Sequence, residues 1–327
     1  MKLTFKIFLI LGIFSFGIVL GVFYERKKII QPHILKIQEA NSNYKYTAPL
    51  LGIDIAEIKY FPEYKDLESK ISRIIEDYKK TKNIYSASVY YRNLNNSTWM
   101  GINETEAYSP GSLFKVPVMI AYLKQAEADP DILNEKIKFI DPRLKAEPQA
   151  TPPSKEIEFG KTYTIEELLE YMIAYSDNNA ANILASKIYL DANNSYTEMM
   201  RDLGLSVFAE QISAKDYSMF LRILYNATYL NAEMSEKALK ILAKTEFKEG
   251  IIAGLPPGIE VSHKFGQFGF VEENKQYEEF HECGIIYAPS NLYLLCVMTK
   301  GDNAEIQKNL IKDISREIYQ QTATKKD

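Results

Sequence analysis

The chain is poor in the residue types that build metal centres. Its three histidines, His33, His263 and His281, are too isolated in sequence to suggest a metal site, and neither metal nor cofactor is expected. Basic excess is also missing: a net charge of -4 supplies no basic surface for nucleic acid. Asp and Glu are dispersed, which excludes an acidic tail, and there is no internal repeat or low-complexity tract. Cysteine is limited to Cys283 and Cys296, on two candidate strands joined by Ala288-Pro289-Ser290-Asn291. A hairpin there would bring them close, but a one-residue slip decides whether they share a face, and they read as two ordinary buried thiols. A composition of 46% hydrophobic and 12% aromatic residues is enough for a large core, and length alone allows one domain or two.

The N-terminus reads as a targeting element. Lys2 and Lys6 precede an apolar run from Ile7 to Phe23, about 17 residues and near the lower limit for crossing a bilayer. Glu25-Arg26-Lys27-Lys28 closes the run. No convincing small-x-small cleavage site follows and no cysteine is placed to carry a lipid, so the segment reads as an uncleaved single-pass anchor, with a cleaved signal as the alternative. The basic cluster on the far side works against the positive-inside rule for an exported domain.

Hydrophobic periodicity divides the chain into an anchor or signal (1–28), a tether (29–60), a folded unit (61–322) and a polar tail (323–327). Leu67, Ile71, Ile74 and Ile75 lie on one face of a helix expected over Lys65 to Lys80. Strands are expected near Ser86 to Arg92 and Ser97 to Gly101, then again near Glu260 to Phe268, Phe280 to Tyr287 and Leu292 to Met298. Between these groups come helices opening at Ser112 and near Ile165 to Tyr175, Ala180 to Tyr189, Ala214 to Tyr229 and Ser235 to Lys244, with a Pro- and charge-rich loop from Pro142 to Gly160. A helix from Ala304 to Tyr319 closes the chain. Strands at both ends with helices between them predict an α+β fold: a mostly antiparallel five-stranded sheet flanked by helices, with an inserted all-helical lobe.

Three short motifs carry the chemistry: Ser112-Leu113-Phe114-Lys115, Ser176-Asp177-Asn178 and Lys264-Phe265-Gly266. Each alone is weak, and Ser42-Asn43-Tyr44-Lys45 repeats the first spacing in a polar stretch with no apolar helix behind it. Ser112 differs because it follows Ser109-Pro110-Gly111 and opens the run Val116 to Leu123. That places its hydroxyl at the entry of a buried helix, where free N–H groups favour a developing oxyanion. Lys115, three residues on, reaches the same face and can serve as a base when burial and the nearby Lys264 lower its pKa.

The segments from Tyr108 to Pro117 and from Tyr175 to Ala181, with Lys264-Phe265-Gly266, resemble the signatures of class A β-lactamase-like serine hydrolases, relatives of penicillin-binding proteins. The resemblance covers about residues 60 to 320. It implies a β-lactamase/transpeptidase-like fold, Ser112 as nucleophile, Lys115 as base and Ser176 as proton relay to the leaving nitrogen. Asn178 would hold the substrate amide and Lys264 would supply positive potential for a substrate carboxylate. Gly266 would let the ligand lie against the strand, and the backbone N–H groups of Ser112 and Gln267 would form the oxyanion hole. The partner it implies is a β-lactam or a peptidoglycan stem peptide, met by an extracytoplasmic catalytic domain of a bacterial cell. D,D-peptidase activity and a catalytically weak peptidoglycan-binding role are the alternatives. Two departures stand out. Phe265 replaces a hydroxyl residue that helps bind the carboxylate, and the short segment from Ser206 to Gln211, with Glu210 its one carboxylate, replaces the loop that activates the deacylating water.

Overall fold

Strand alternation and helix capping explain most of the elements that frame the cleft. The computed structural model describes residues 36–38, 44–47, 50–53, 61–190, 195–206, 210–272 and 275–322. In chain order the strands are β1 (Lys36–Gln38), β2 (Leu50–Ile53), β3 (Ile84–Asn93), β4 (Trp99–Ile102), β5 (Ala107–Tyr108), β6 (Lys136–Lys138), β7 (Thr162–Thr164), β8 (Ile212–Ser213), β9 (Val261–Glu272), β10 (Lys275–Ala288) and β11 (Asn291–Gly301). The helices are α1 (Lys65–Lys82), α2 (Lys115–Ala128), α3 (Ile165–Ala174), α4 (Asn178–Leu190), α5 (Ser195–Asp202), α6 (Ala214–Tyr225), α7 (Ala232–Ala243) and α8 (Ala304–Thr322).

Five strands form one antiparallel sheet in the order β4-β3-β11-β10-β9, and three two-stranded pairs lie outside it. The inner strand β3 is buried on both faces over Ala87 to Tyr91, as a strand covered on two sides must be. One face carries α1 and α8, whose apolar stripes (Leu67, Ile71 and Ile75; Leu310, Ile311 and Ile314) pack with Val89, Phe265, Phe280 and Val297. The other face carries the helical lobe, built around α2, in which every residue from Lys115 to Leu123 is buried. Each fully buried large aliphatic side chain there contributes about 1.5–3 kcal/mol.

Local chemistry sets the ends. Asn83 takes a left-handed φ of 55° and stops α1. Thr164 and Glu167 form a capping box on α3, while Ser213 and Asn231 cap α6 and α7 through the N–H groups of Asp216 and Met234. Helix α6 ends at Tyr225, short of the expected Tyr229, because Asn226 caps it and Ala227 turns left-handed at φ 47°.

Two expectations need correction. Cys283 and Cys296 are not free thiols: they face each other in the β10–β11 register and form a disulfide. The register that sequence leaves open puts both on the lobe face. Part of the expected tether is docked on the folded unit rather than free. The Glu236 carboxylate accepts the backbone N–H groups of Lys45, Tyr46 and Thr47 at 2.8–2.9 Å, and Tyr46 packs edge-on against Tyr287 with its hydroxyl on Glu260. The apolar run Ile7 to Phe23 lies outside the described residues, and among the described residues no helix is long and apolar enough to cross a membrane.

Candidate active site

The turn that presents Ser112 is wedged between the lobe and the edge strand β9. Gly111 has φ 51°, and a Cβ there would stand 2.5 Å from the Gln267 carbonyl oxygen; a Cβ on Gly266 would stand 2.3 Å from the Pro110 oxygen. Only glycine at both positions lets the turn press onto the strand. Residues 111–114 form a 3-10 turn that runs into α2. Three residues before Ser112, the backbone is gripped from β10: Glu279 accepts the Ser109 N–H at 2.8 Å and His281 Nε2 donates to the Ser109 carbonyl at 3.0 Å. His281 Nδ1 accepts the Thr299 N–H, and burial lowers its pKa to about 4, so the ring is neutral and its tautomer fixed. His281 therefore serves the turn, a role its isolation in sequence hides.

The second and third motifs converge behind Ser112. Lys115 Nζ donates to the Ser176 carbonyl at 2.7 Å, to Ser176 Oγ at 3.2 Å and to Asn178 Oδ1 at 2.6 Å. Lys264 Nζ donates to the same Ser176 Oγ at 2.9 Å and to the Phe265 carbonyl at 3.1 Å. Both lysines are fully buried and Ser176 is 1% exposed, while Ser112 is partly exposed. Burial pulls the Lys115 pKa down to about 7 against the opposing charge of Asp177. Burial, with Lys115 beside it, holds Lys264 well below the ordinary lysine range. Ser176 sits at φ 59°, a left-handed conformation uncommon for serine and concentrated at functional sites. Asp177 organises the turn: its carboxylate accepts the N–H groups of Ile157 and Asn179, each at 2.7 Å.

Ser112 and Lys115 lie on the turn and α2, Ser176 and Asn178 at the α3–α4 turn, and Lys264, Gly266 and Gln267 on β9. Lys115, Ser176, Asn178 and Lys264 form one hydrogen-bonded cluster, and Gly266 and Gln267 press on the turn that carries Ser112. Among the described residues no side-chain hydrogen bond joins Ser112 Oγ to either lysine. His263 and Phe265 point the other way. His263 Nδ1 meets Glu282 at 2.7 Å in the opposite core. The Phe265 ring packs 4.5 Å from Phe247 and 5.9 Å from Phe280, with Lys264 Nζ 4.2 Å from its centroid. Two residues of the Pro142 to Gly160 loop join the site without having been expected there. The Gln149 amide donates to the Ser176 carbonyl at 3.1 Å and accepts the Asn178 N–H at 3.2 Å, and Thr151 Oγ1 donates to Gln267 Oε1 at 2.7 Å. Nothing in a single sequence marks them, since their partners are more than 25 residues away. Glu210 is exposed, with no hydrogen bond or ion pair among the described residues.

A serine, two buried amines and an edge strand, set in an antiparallel sheet with a helical lobe, define a serine hydrolase of β-lactamase/transpeptidase fold. Residues 66–322 match the family described as beta-lactamase enzyme family, and the chain belongs to it. It is 25% identical over 269 residues to Beta-lactamase VEB-1 of Pseudomonas aeruginosa, covering 74% of this chain and 87% of that one. Among solved structures, a beta-lactamase from Chitinophaga pinensis superposes with a TM-score of 0.67 at 20% identity, over 78% of this chain and 99% of its own. PBP-A superposes with a TM-score of 0.66 at 21% identity, over 78% and 95%. A PBP-A mutant with glutamate in place of a leucine, solved as an acyl-enzyme complex with penicillin G, gives 0.65 at 21% identity, over 78% and 96%.

Proposed function

We propose that this hydrolase forms an acyl-enzyme on Ser112 with β-lactams or related peptidoglycan amides and releases it slowly. The observation that carries the reading is the shared Ser176 Oγ, which receives both Lys115 Nζ and Lys264 Nζ. With both lone pairs occupied, the hydroxyl directs its own proton away from the lysines, where a leaving nitrogen can take it.

In the proposed reaction, neutral Lys115 takes the Ser112 proton as Oγ bonds to the carbonyl carbon, and the oxyanion is held by the N–H groups of Ser112 and Gln267. The carbonyls of His263 and Phe265 point to the open edge of β9, where the Thr245 hydroxyl and Lys264 Nζ meet them. Two-residue alternation turns the Gln267 backbone to the same edge. The C–N bond then breaks, the nitrogen takes the Ser176 proton, and Lys115 returns its proton to Ser176. Asn178 holds the substrate amide, and Lys264 draws the substrate carboxylate.

Slow release is supported by what lines the lobe beside the turn residues Pro110 and Phe114. A cavity of about 300 Å³ there is lined by apolar groups such as Pro110, Phe114, Met200 and Tyr217. Its one lining carboxylate, Asp216, is engaged by the Ser213 hydroxyl at 2.8 Å. The acyl-enzyme captured in the PBP-A mutant favours the same chemistry on this fold. The N-terminal run Ile7 to Phe23 supports a membrane anchor for an extracytoplasmic domain, testable by fractionation with and without residues 1–28.

Time-resolved intact-mass measurement of the full chain with benzylpenicillin, beside Ser112→Ala, tests the reading. A lasting adduct on the wild type alone is expected. Rapid hydrolysis without an adduct would refute slow release, and neither adduct nor hydrolysis would leave a peptide-binding role.

A further inference from the structure

The stretch from Gln149 to Ser154 crosses from the lobe to the sheet over the buried amines. Its flanks are firmly tied to the lobe: Asn182 Nδ2 donates to the Leu144 carbonyl at 3.1 Å, the Ala146 N–H donates to Asn179 Oδ1 at 2.8 Å, and the Ile157 N–H donates to Asp177 at 2.7 Å. Gln149 then bridges the backbone of the second motif, and Thr151 reaches Gln267 on β9. Ser154 Oγ donates to Glu246, just outside the start of β9.

This stretch meets β9 through a side chain and not through its backbone. Pro152 and Pro153 have no N–H to donate, so no backbone ladder forms at that point. A single neutral hydroxyl–carbonyl bond, Thr151 to Gln267, fastens the middle of the stretch to the strand. Behind it Lys115 and Lys264 have no exposed surface and Ser176 has 1%. A ligand seated with its carboxylate on Lys264 and its backbone along Gln267 must pass the Thr151 contact on the Gln267 side chain.

We propose that Gln149–Ser154 is a strap over the cleft, latched by Thr151 on Gln267, and that Thr151 is a specificity-determining residue. The strap opens at its proline pair while its tied flanks act as hinges. Compact acyl donors enter with a small displacement and bulky ones only when the latch is broken. The selectivity half rests on the acylation reading above; the opening of the strap does not.

The test uses two readouts on the full chain, for wild type, Thr151→Val and Thr151→Ser. The first is pulse labelling with acetic anhydride, read by peptide mass at Lys264 and Lys115, with exposed Lys80 as internal standard. Losing one neutral hydrogen bond shifts the open population by about two- to tenfold, so Thr151→Val is expected to label both buried lysines faster by that factor. Lys80 should not change, and Thr151→Ser, which keeps the hydroxyl, should stay near the wild-type rate. Equal labelling of Lys264 in all three proteins overturns the strap. The second readout is Ser112 acylation by benzylpenicillin and by the bulkier ceftazidime. Thr151→Val should raise the ceftazidime rate more than the benzylpenicillin rate, and an unchanged ratio overturns Thr151 as a specificity determinant. Faster labelling without acylation in any of the proteins would refute the acylation reading and leave the strap standing.

Discussion

The two faces of the sheet put the same strand to opposite uses. Toward the lobe, β9 offers Lys264 to a site with two buried amines and a left-handed serine whose hydroxyl they share. Toward α1 and α8 it offers His263 and Phe265, one closed on Glu282 and the other packed in a three-ring cluster with Phe247 and Phe280. Buried amines cost stability, and buried rings supply it. One face holds groups in protonation states that folding alone would not choose, and the other holds the sheet rigid enough to keep them there.

Variants on either face should separate these uses. The largest effect is expected from Lys115→Ala, which should slow Ser112 acylation by about 10²- to 10⁴-fold while leaving the melting temperature close to the wild-type value. Unchanged acylation by stopped-flow would remove Lys115 from the chemistry. On the opposite face, Phe265→Thr should cost about 3 kcal/mol or more, as loss of a packed ring does. Chemical denaturation checks it, and a stable variant would mean that the far core does not depend on this ring. That packing also explains the departure seen in the third motif: Phe265 is 7% exposed and belongs to the far core, so a hydroxyl placed there meets rings.

The dependence on pH sharpens the lobe side. Because burial lowers Lys115 to about 7, the free amine is lost as pH falls through that value, and the acylation rate should drop with it and level off above. A profile flat from pH 5.5 to 8.5 would show that no group with this pKa governs acylation.

How far the sequence anticipates this arrangement depends on the range of each interaction. Helix α1 is legible because Leu67, Ile71 and Ile75 repeat at helical spacing, and the five sheet strands because their apolar runs are broken by turn residues. The motif residues are legible as residue types, though not the sharing of Ser176 Oγ. Helix α5 escapes notice because eight residues with Tyr196, Met199 and Met200 buried give too short a period. The pairs β5–β8 and β6–β7 are two or three residues long and join distant segments. The disulfide needs a register, and Gln149 and Thr151 need the whole fold before they meet their partners.

Smaller effects probe the supports of the two faces. The disulfide closes a loop of 13 residues, and Cys283→Ala with Cys296→Ala should cost up to about 3 kcal/mol without changing Ser112 chemistry. A matching loss of acylation would tie the disulfide to the cleft. Glu236→Ala removes the acceptor of three backbone N–H groups and should cost about 1–2 kcal/mol, with faster proteolysis around Lys45. An unaltered cleavage pattern would mean that Tyr46 alone holds the segment.

The docking of Lys45–Thr47 also bears on reach. A domain hung from a fixed point at residue 28 would swing on all the chain up to residue 61 if that chain were free. With Lys45–Thr47 held on Glu236 and Glu260, the chain between residues 44 and 61, about 17 residues or roughly 60 Å of fully extended backbone, adds nothing to that reach. Under the anchoring through residues 1–28 proposed above, targets would lie in a correspondingly shallower shell around the point of attachment, and lengthening the chain beyond residue 47 would not widen that shell.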